Sequence, residues 1–154
     1  MLIPQKTLYG SEIYDLVKKL KISNFRGVLC SDEIPQRSRQ RECGIVNFQS
    51  HNLPGSHWVA YWKTESDICY YDSYGGLPPI ALKKFLKPGW IKRSVVITQR
   101  GSTECGGLCI FVLSALSRGL EFGRILEILD ERKTATPLNV ETKSGQRAFR
   151  SATS

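Results

Sequence analysis

An α+β single domain, with a mostly antiparallel sheet around a central buried helix, is what this sequence predicts, and three observations predict it. At 154 residues and 41% hydrophobic content the chain can bury one real core but cannot hold a second enzyme-sized module. Short β-rich segments separated by turn residues cluster in its middle, flanked by segments of helical periodicity. One of these, Leu108 to Leu116, is apolar almost all round, the pattern of a helix buried on every side.

The chain opens on an amphipathic helix in which Ile13, Leu16, Val17 and Leu20 share a face while Asp15, Lys18, Lys19 and Lys21 point away. Ser11 is its predicted N-cap, with Tyr14 at N3. Phe25 to Gln40, with Gly27, Asp32, Pro35 and a charged run, reads as an irregular surface loop. Cys43 to Phe48 reads as a buried strand and His51 to Ser56 as a loop carrying Pro54-Gly55. Two strands, His57 to Trp62 and Ile68 to Ser73, flank a polar stretch and form a hairpin. Pairing Trp62 with Asp67 across a four-residue loop sets His57 opposite Asp72, Val59 opposite Tyr70 and Tyr61 opposite Ile68. Directly opposed Cβ atoms lie about 4.5 to 5.5 Å apart, within reach of an imidazole–carboxylate hydrogen bond.

A turn from Ser73 to Pro79, with Gly75-Gly76 and Pro78-Pro79, leads into a helix from Ile80 to Leu86 that Pro88-Gly89 ends. Ser94 to Thr98 is rich in β-branched residues and reads as a central strand delivering Gln99 at its end. After the buried helix, Phe122 to Leu129 forms another, with Ile125, Leu126 and Leu129 inward. From Lys133 onward large hydrophobes are scarce among Ser, Thr, Lys, Arg and Gly. The folded domain is therefore assigned to residues 1–130, and residues 131–154 to a basic tail that is flexible or ordered by a partner.

Charge narrows the partners. The net charge is +8, and six basic residues with no acid lie between Lys83 and Arg100, namely Lys83, Lys84, Lys87, Lys92, Arg93 and Arg100. Arg37, Arg39 and Arg41 form a second cluster. Such stretches are either solvated surface or a nucleic-acid site bound through phosphates, and no base-reading motif accompanies them. Five cysteines without a secretory lead argue against a disulfide framework and for a reducing compartment. No signal peptide and no apolar run long enough to cross a membrane occur, so the expected protein is soluble and intracellular, without a membrane partner.

The candidate chemistry lies in an order of four residues: His57, Asp72, Gln99 and Cys105. They are a base, a group to orient it, an oxyanion donor and a thiol nucleophile. The cysteine comes last, unlike the papain order, in which it precedes its histidine. Cys105 opens the buried helix, with Ser102 or Thr103 as N-cap, so the helix dipole and a nearby imidazolium favour its thiolate. Gln99, six residues earlier, converges on it with a side-chain N–H that joins the Cys105 backbone N–H as an oxyanion hole. Gly106 and Gly107 each cost a helix up to about 1 kcal/mol relative to Ala, which close approach of a substrate carbonyl would explain. Cys109 reads as inert core and His51 as structural or surface. A zinc site of Cys105, Cys109, His57 and His51 is the competing assignment, but no second close ligand pair follows the cysteines. Neither a metal nor an organic cofactor is expected.

These residues resemble the adenovirus-type maturation proteases (adenain) and their relatives that remove SUMO and related modifiers. The matching pieces are Cys43-x-Ile45-Val46-Asn47, Gly55-Ser56-His57-Trp58-Val59-Ala60, Tyr71-Asp72-Ser73-Tyr74-Gly75, Gln99, and Cys105-Gly106-x-Leu108-Cys109, and the resemblance runs from the first helix to about Leu116. It implies a cysteine endopeptidase with His57 as base, Asp72 as orienting carboxylate, Gln99 as oxyanion donor and Cys105 as nucleophile. Trp58 and Gly106 would border a narrow slot for glycine-containing substrate. It further implies viral precursor proteins as substrates during particle maturation, in a virion or host nucleus, with DNA and a short viral peptide as activators.

Three departures qualify the resemblance. Adenain-type enzymes carry glutamate where this chain has Asp72, whereas the modifier-removing enzymes carry aspartate. Ser94 stands near where the cysteine that tethers the activating peptide is expected, so any peptide activator would lack a disulfide tether. The chain is also shorter, which suits a compact virus or virus-like element. The competing functions are a SUMO- or ubiquitin-like deconjugating protease and, in a different class, a non-catalytic basic nucleic-acid-binding protein on the same fold.

Overall fold

The computed structural model describes residues 1–48 and 57–135. Within them the order is α1 (Gly10–Lys19), β1 (Phe25–Cys30), β2 (Glu42–Asn47), β3 (Trp58–Lys63), β4 (Ile68–Tyr71), α2 (Ile80–Leu86), β5 (Ile91–Arg93), α3 (Cys105–Ser117) and α4 (Phe122–Thr134). The five strands form one sheet in chain order, with β3 antiparallel to both β2 and β4, and the outer strands running parallel to their neighbours, β1 to β2 and β5 to β4. The α+β single-domain class is observed, with a mixed sheet.

Alternation along the middle strands explains why they read as apolar runs. Cys43, Ile45, Trp58, Ala60, Cys69 and Tyr71 pack with α3, α1 and α4 in one cluster. Their neighbours Val46, Val59, Tyr61, Ile68 and Tyr70 pack with Leu82, Phe85 and Leu86 of α2 in another. A sheet covered on both faces has no polar face to show. Helix α3 is the central buried helix, with Leu108, Cys109, Ile110, Val112 and Leu113 all buried.

Four local expectations are corrected. Phe25–Cys30 is a strand, not loop: it pairs with β2, and the guanidinium of Arg26 forms a 2.8 Å ion pair with the buried Glu42 of that neighbour. A cation in an edge strand with Gly27 behind it hides the apolar signal, because the partner that makes Arg26 tolerable comes from another segment. Helix α1 is capped from Tyr9, not Ser11; the Glu12 carboxylate accepts the Tyr9 N–H at 2.9 Å. Helix α3 is capped at Glu104, not Ser102 or Thr103, since Thr103 Oγ1 donates instead to Gln5 O. Residues 94–98 lie outside the ladder, with Val95, Val96 and Ile97 exposed, and the strand is the shorter β5 just before them. Propensity favoured an extended backbone there, but burial, which makes a strand, was not supplied.

The hairpin forms in a different register. Tyr70 pairs with Tyr61 rather than Val59, and Ile68 with Lys63 rather than Tyr61. The loop still has four residues, now Thr64 to Asp67, because Thr64 Oγ1 accepts the Asp67 N–H at 3.1 Å and Thr64 N–H donates to Asp67 O at 2.8 Å. The displacement is two residues, one full pleat, so each side chain keeps its face. Extended past the strand ends, this register makes His57 and Asp72 diagonal neighbours, not directly opposed ones. At the other end, α4 continues through Thr134, past the point at 131 where the tail was expected to begin. Residues 136–154, like His51, lie outside the described residues.

Candidate active site

Three elements deliver the site. His57 immediately precedes β3, Asp72 immediately follows β4, and Cys105 is the first residue of α3. His57 Nε2 lies 2.7 Å from Asp72 Oδ1, with both side chains largely buried. The carboxylate is held in turn: Oδ1 accepts the Tyr74 N–H at 2.9 Å, and the Gly76 N–H also points at it. A Cβ on Gly76 would sit 2.8 Å from Asp72 Oδ2, so only glycine lets the turn wrap the acid this closely. Ser94, buried, brackets the Asp72 backbone, its Oγ accepting the N–H and donating to the carbonyl, both at 2.9 Å.

With Nε2 on Asp72, the remaining ring nitrogen, Nδ1, is buried without another partner and is the one left to act on Cys105. The imidazole sits between two rings, Tyr74 at 4.9 Å and Phe48 at 5.3 Å edge-on. Neither aromatic was a sequence candidate; Tyr74, two residues past Asp72, could have been found from the turn.

Electrostatics separates Cys105 from the other thiols. Burial alone would push it up, but the His57 side chain and the backbone N–H groups of Trp58 and Gly106 outweigh burial and hold it below its ordinary 9.0. Burial pushes Cys43 and Cys69 up to about 12, raises Cys30 together with the Glu33 and Asp32 charges, and raises Cys109 well above its ordinary value. Burial works against the His57 cation too, yet the bond to Asp72 and the Cys105 sulfur beside the ring prevail and raise it from 6.5 to about 9. Asp72 is held below its ordinary value, burial being outweighed by His57 and by the turn amides. The arrangement favours a thiolate–imidazolium pair at neutral pH. Cys109 Sγ donates to Trp58 O at 3.4 Å, a core contact, as its apolar setting suggested.

Gln99 is buried near the end of the same network. Its Oε1 accepts from Ser73 Oγ at 2.5 Å, while Nε2 donates to Gly101 O at 2.9 Å and to the Tyr74 hydroxyl at 3.2 Å.

The two residues expected to border substrate make close contacts within the protein. Trp58 is buried in the core, its Nε1–H donating to Leu8 O at 3.1 Å. A Cβ on Gly106 would meet Trp58 Cδ1 at 3.3 Å and Leu8 Cβ at 3.4 Å, and one on Gly107 would fall 2.5 Å from Pro4 O. The missing side chains admit the protein's own N-terminal segment and Trp58. That segment crosses from Thr103 to Trp58, neighbours of the nucleophile and the base.

The basic stretch divides. Lys83, Lys84 and Lys87 are exposed on and just after α2, next to Trp90, which is 85% exposed. Lys92 pairs with Asp67 at 2.8 Å, Arg93 donates to Gly75 O at 3.3 Å, and Arg100 lies 3.6 Å from Glu104.

No family model matches the chain, and no curated protein does. Among solved structures it is similar to the crystal structure of the pS273R protease of African swine fever virus, with a TM-score of 0.58 at 16% identity, over 85% of this chain and 68% of that one. The fold resembles that of this viral protease. At this identity the likeness speaks for the fold; the chemistry rests on the residues above.

Proposed function

We propose that this chain is a cysteine endopeptidase of a virus or virus-like element that cleaves precursor proteins at glycine-containing sites during particle maturation. The observation that carries the reading is the connected Asp72–His57–Cys105 arrangement, in which the one thiol held below its ordinary value is the one beside the one described imidazole. The shared fold with a viral protease supports the same class.

In this reading the Cys105 thiolate attacks the scissile carbonyl carbon, and the carbonyl oxygen takes the negative charge. Its stabilisers are the Cys105 backbone N–H, which opens α3 and has no acceptor within the helix, and Gln99 Nε2, once the substrate oxygen replaces the Tyr74 hydroxyl on it. Collapse expels the amine, which takes the proton from His57 Nδ1 and leaves a thioester. A water, deprotonated by the now neutral His57, attacks the thioester; the acid departs and the thiolate–imidazolium pair is restored. Asp72 holds the ring through Nε2 so that Nδ1 faces the sulfur throughout.

DNA stimulation is assigned to Lys83, Lys84 and Lys87, which face solvent. A peptide activator would act without a tether at Ser94, which is buried and bonded to the Asp72 backbone. Five free cysteines suit a reducing compartment, consistent with a virion assembled in the host nucleus. Among the described residues no helix is long and apolar enough to cross a membrane.

One observation favours a deconjugating protease for SUMO- or ubiquitin-like modifiers: the orienting acid is aspartate, as in those enzymes. Cleavage of glycine-containing peptides with and without DNA, with Cys105→Ala as control, tests the first reading. Covalent capture of Cys105 by a SUMO or ubiquitin C-terminal electrophile, without peptide turnover, would replace it with the second.

A further inference from the structure

The carboxamide of Gln99 can serve an oxyanion only if its nitrogen, not its oxygen, faces the reacting carbonyl, and an amide by itself has no preference between its two flips. The surroundings decide. Gly101 O, 2.9 Å away, can only accept, so the atom facing it is Nε2. The other end then presents Oε1 to Ser73, whose hydroxyl donates across 2.5 Å. Ser73 is fully buried, and Gln99 is 4% exposed, so water does not substitute for this donor. Ser73 itself is held between Asp72, which orients the base, and Tyr74, whose ring lies 4.9 Å from His57 and whose hydroxyl receives the free Gln99 N–H. Its carbonyl accepts the Thr98 N–H at 2.9 Å, tying the Asp72 turn to the segment that carries Gln99.

From this geometry we infer that Ser73 is a positioning residue of the oxyanion donor: with Gly101 O selecting the flip, the buried Ser73 hydroxyl anchors Oε1 and so holds the Gln99 carboxamide with Nε2 toward the reacting carbonyl. It touches neither sulfur nor imidazole, so it acts through Gln99 alone. The inference rests on the endopeptidase reading and assigns a function to the residue that follows the orienting acid.

The test separates thiol activation from oxyanion stabilisation. Alkylation of Cys105 by iodoacetamide needs the thiolate and no oxyanion hole, whereas peptide cleavage needs both. Ser73→Ala leaves Oε1 buried without a donor and is expected to lower kcat on the order of tenfold with KM and the Cys105 alkylation rate unchanged. Ser73→Cys keeps the volume and supplies only a weak donor, so it is expected to fall between, and it decides the matter if the alanine variant does not fold. On a Gln99→Ala background, where there is no carboxamide to orient, Ser73→Ala should cost less than about twofold more. Full turnover in the serine variants, an undiminished loss on the Gln99→Ala background, or a parallel fall in alkylation overturns the inference. A wild-type chain that neither cleaves peptide nor alkylates selectively at Cys105 overturns the enzyme reading and this inference with it.

Discussion

Asp72→Asn is the sharpest perturbation the site offers, because it keeps volume and shape while removing the charge that holds His57 protonated. The bond lost is a charge-assisted one, 2.7 Å between side chains only 12% and 4% exposed. Bonds of this kind contribute about 1.5 to 3 kcal/mol, and 1.36 kcal/mol corresponds to one pH unit, so the His57 titration should fall by about one to two units. From about 9 in the wild type, it would reach about 7 to 8 in the variant. The sign follows from the roles. Cleavage requires the Cys105 thiolate, giving a rising limb below 9.0, and a protonated His57 to serve the leaving amine, giving a falling limb near 9. In Asp72→Asn the falling limb moves down and the rising limb moves up, since a weaker imidazolium holds the thiolate less well. An asparagine amide also donates to Nε2, leaving the ring proton on Nδ1, the wrong tautomer for a base that faces the sulfur through that nitrogen. The two effects together predict a narrow bell and a peak kcat/KM lower by about 10² to 10⁴. The assay is kcat/KM on a glycine-containing peptide from pH 5 to 10, with circular dichroism to confirm folding. A variant whose two limbs superimpose on those of the wild type would refute the assignment of Asp72 as the charge that sustains His57.

Other outcomes follow from the same structure. Peptide-resolved alkylation at pH 7 should label Cys105 at least about tenfold faster than Cys30, Cys43, Cys69 or Cys109, and His57→Ala should erase that advantage; equal rates for all five thiols would contradict the thiolate assignment. Gly107→Ala places a Cβ where Pro4 O stands, 2.5 Å away, so about 1 to 3 kcal/mol of overpacking should exceed the helix gain of up to about 1 kcal/mol; a urea midpoint that rises would mean the N-terminal segment is not seated there. Arg132→Ala leaves the buried Glu104 at the α3 cap with Arg100 alone, its backbone N–H at 2.8 Å and its guanidinium at 3.6 Å, and should destabilise the fold by about 1.5 to 3 kcal/mol in urea unfolding. Changing Lys83, Lys84 and Lys87 together to alanine should make the logarithmic salt slope of duplex DNA binding shallower by up to about 2.7, at roughly 0.9 per phosphate contact; an unchanged slope places any DNA elsewhere.

How much was legible varied with how local the cause was. The α2 range, Ile80–Leu86, and the buried character of α3 follow from residues within each segment, and the structure has both. The contact between His57 and Asp72 was legible despite a wrong register, because pleat parity survives a two-residue shift. β1 was illegible because Arg26 is acceptable in a strand only beside Glu42, sixteen residues on. The β-branched run at 95–97 misled for the converse reason: its local preference was clear, but no second layer covers it. That Leu8 and Trp58 come to lie against Gly106, and Pro4 against Gly107, was illegible because those contacts join distant segments.

By itself the sequence determined the inventory: one domain, an apolar helix with a cysteine at its head, and a histidine, an aspartate and a glutamine in an order that permits thiol chemistry. Composition and periodicity suffice for that, since they are properties of neighbouring residues. The tertiary structure alone decided which imidazole nitrogen meets the acid, which of five thiols is held low, which way the Gln99 amide points, and what occupies the space opened by Gly106 and Gly107. Each of those depends on groups that the fold brings to within about 3 Å of one another, where burial and a single hydrogen bond set the protonation state and orientation of a side chain.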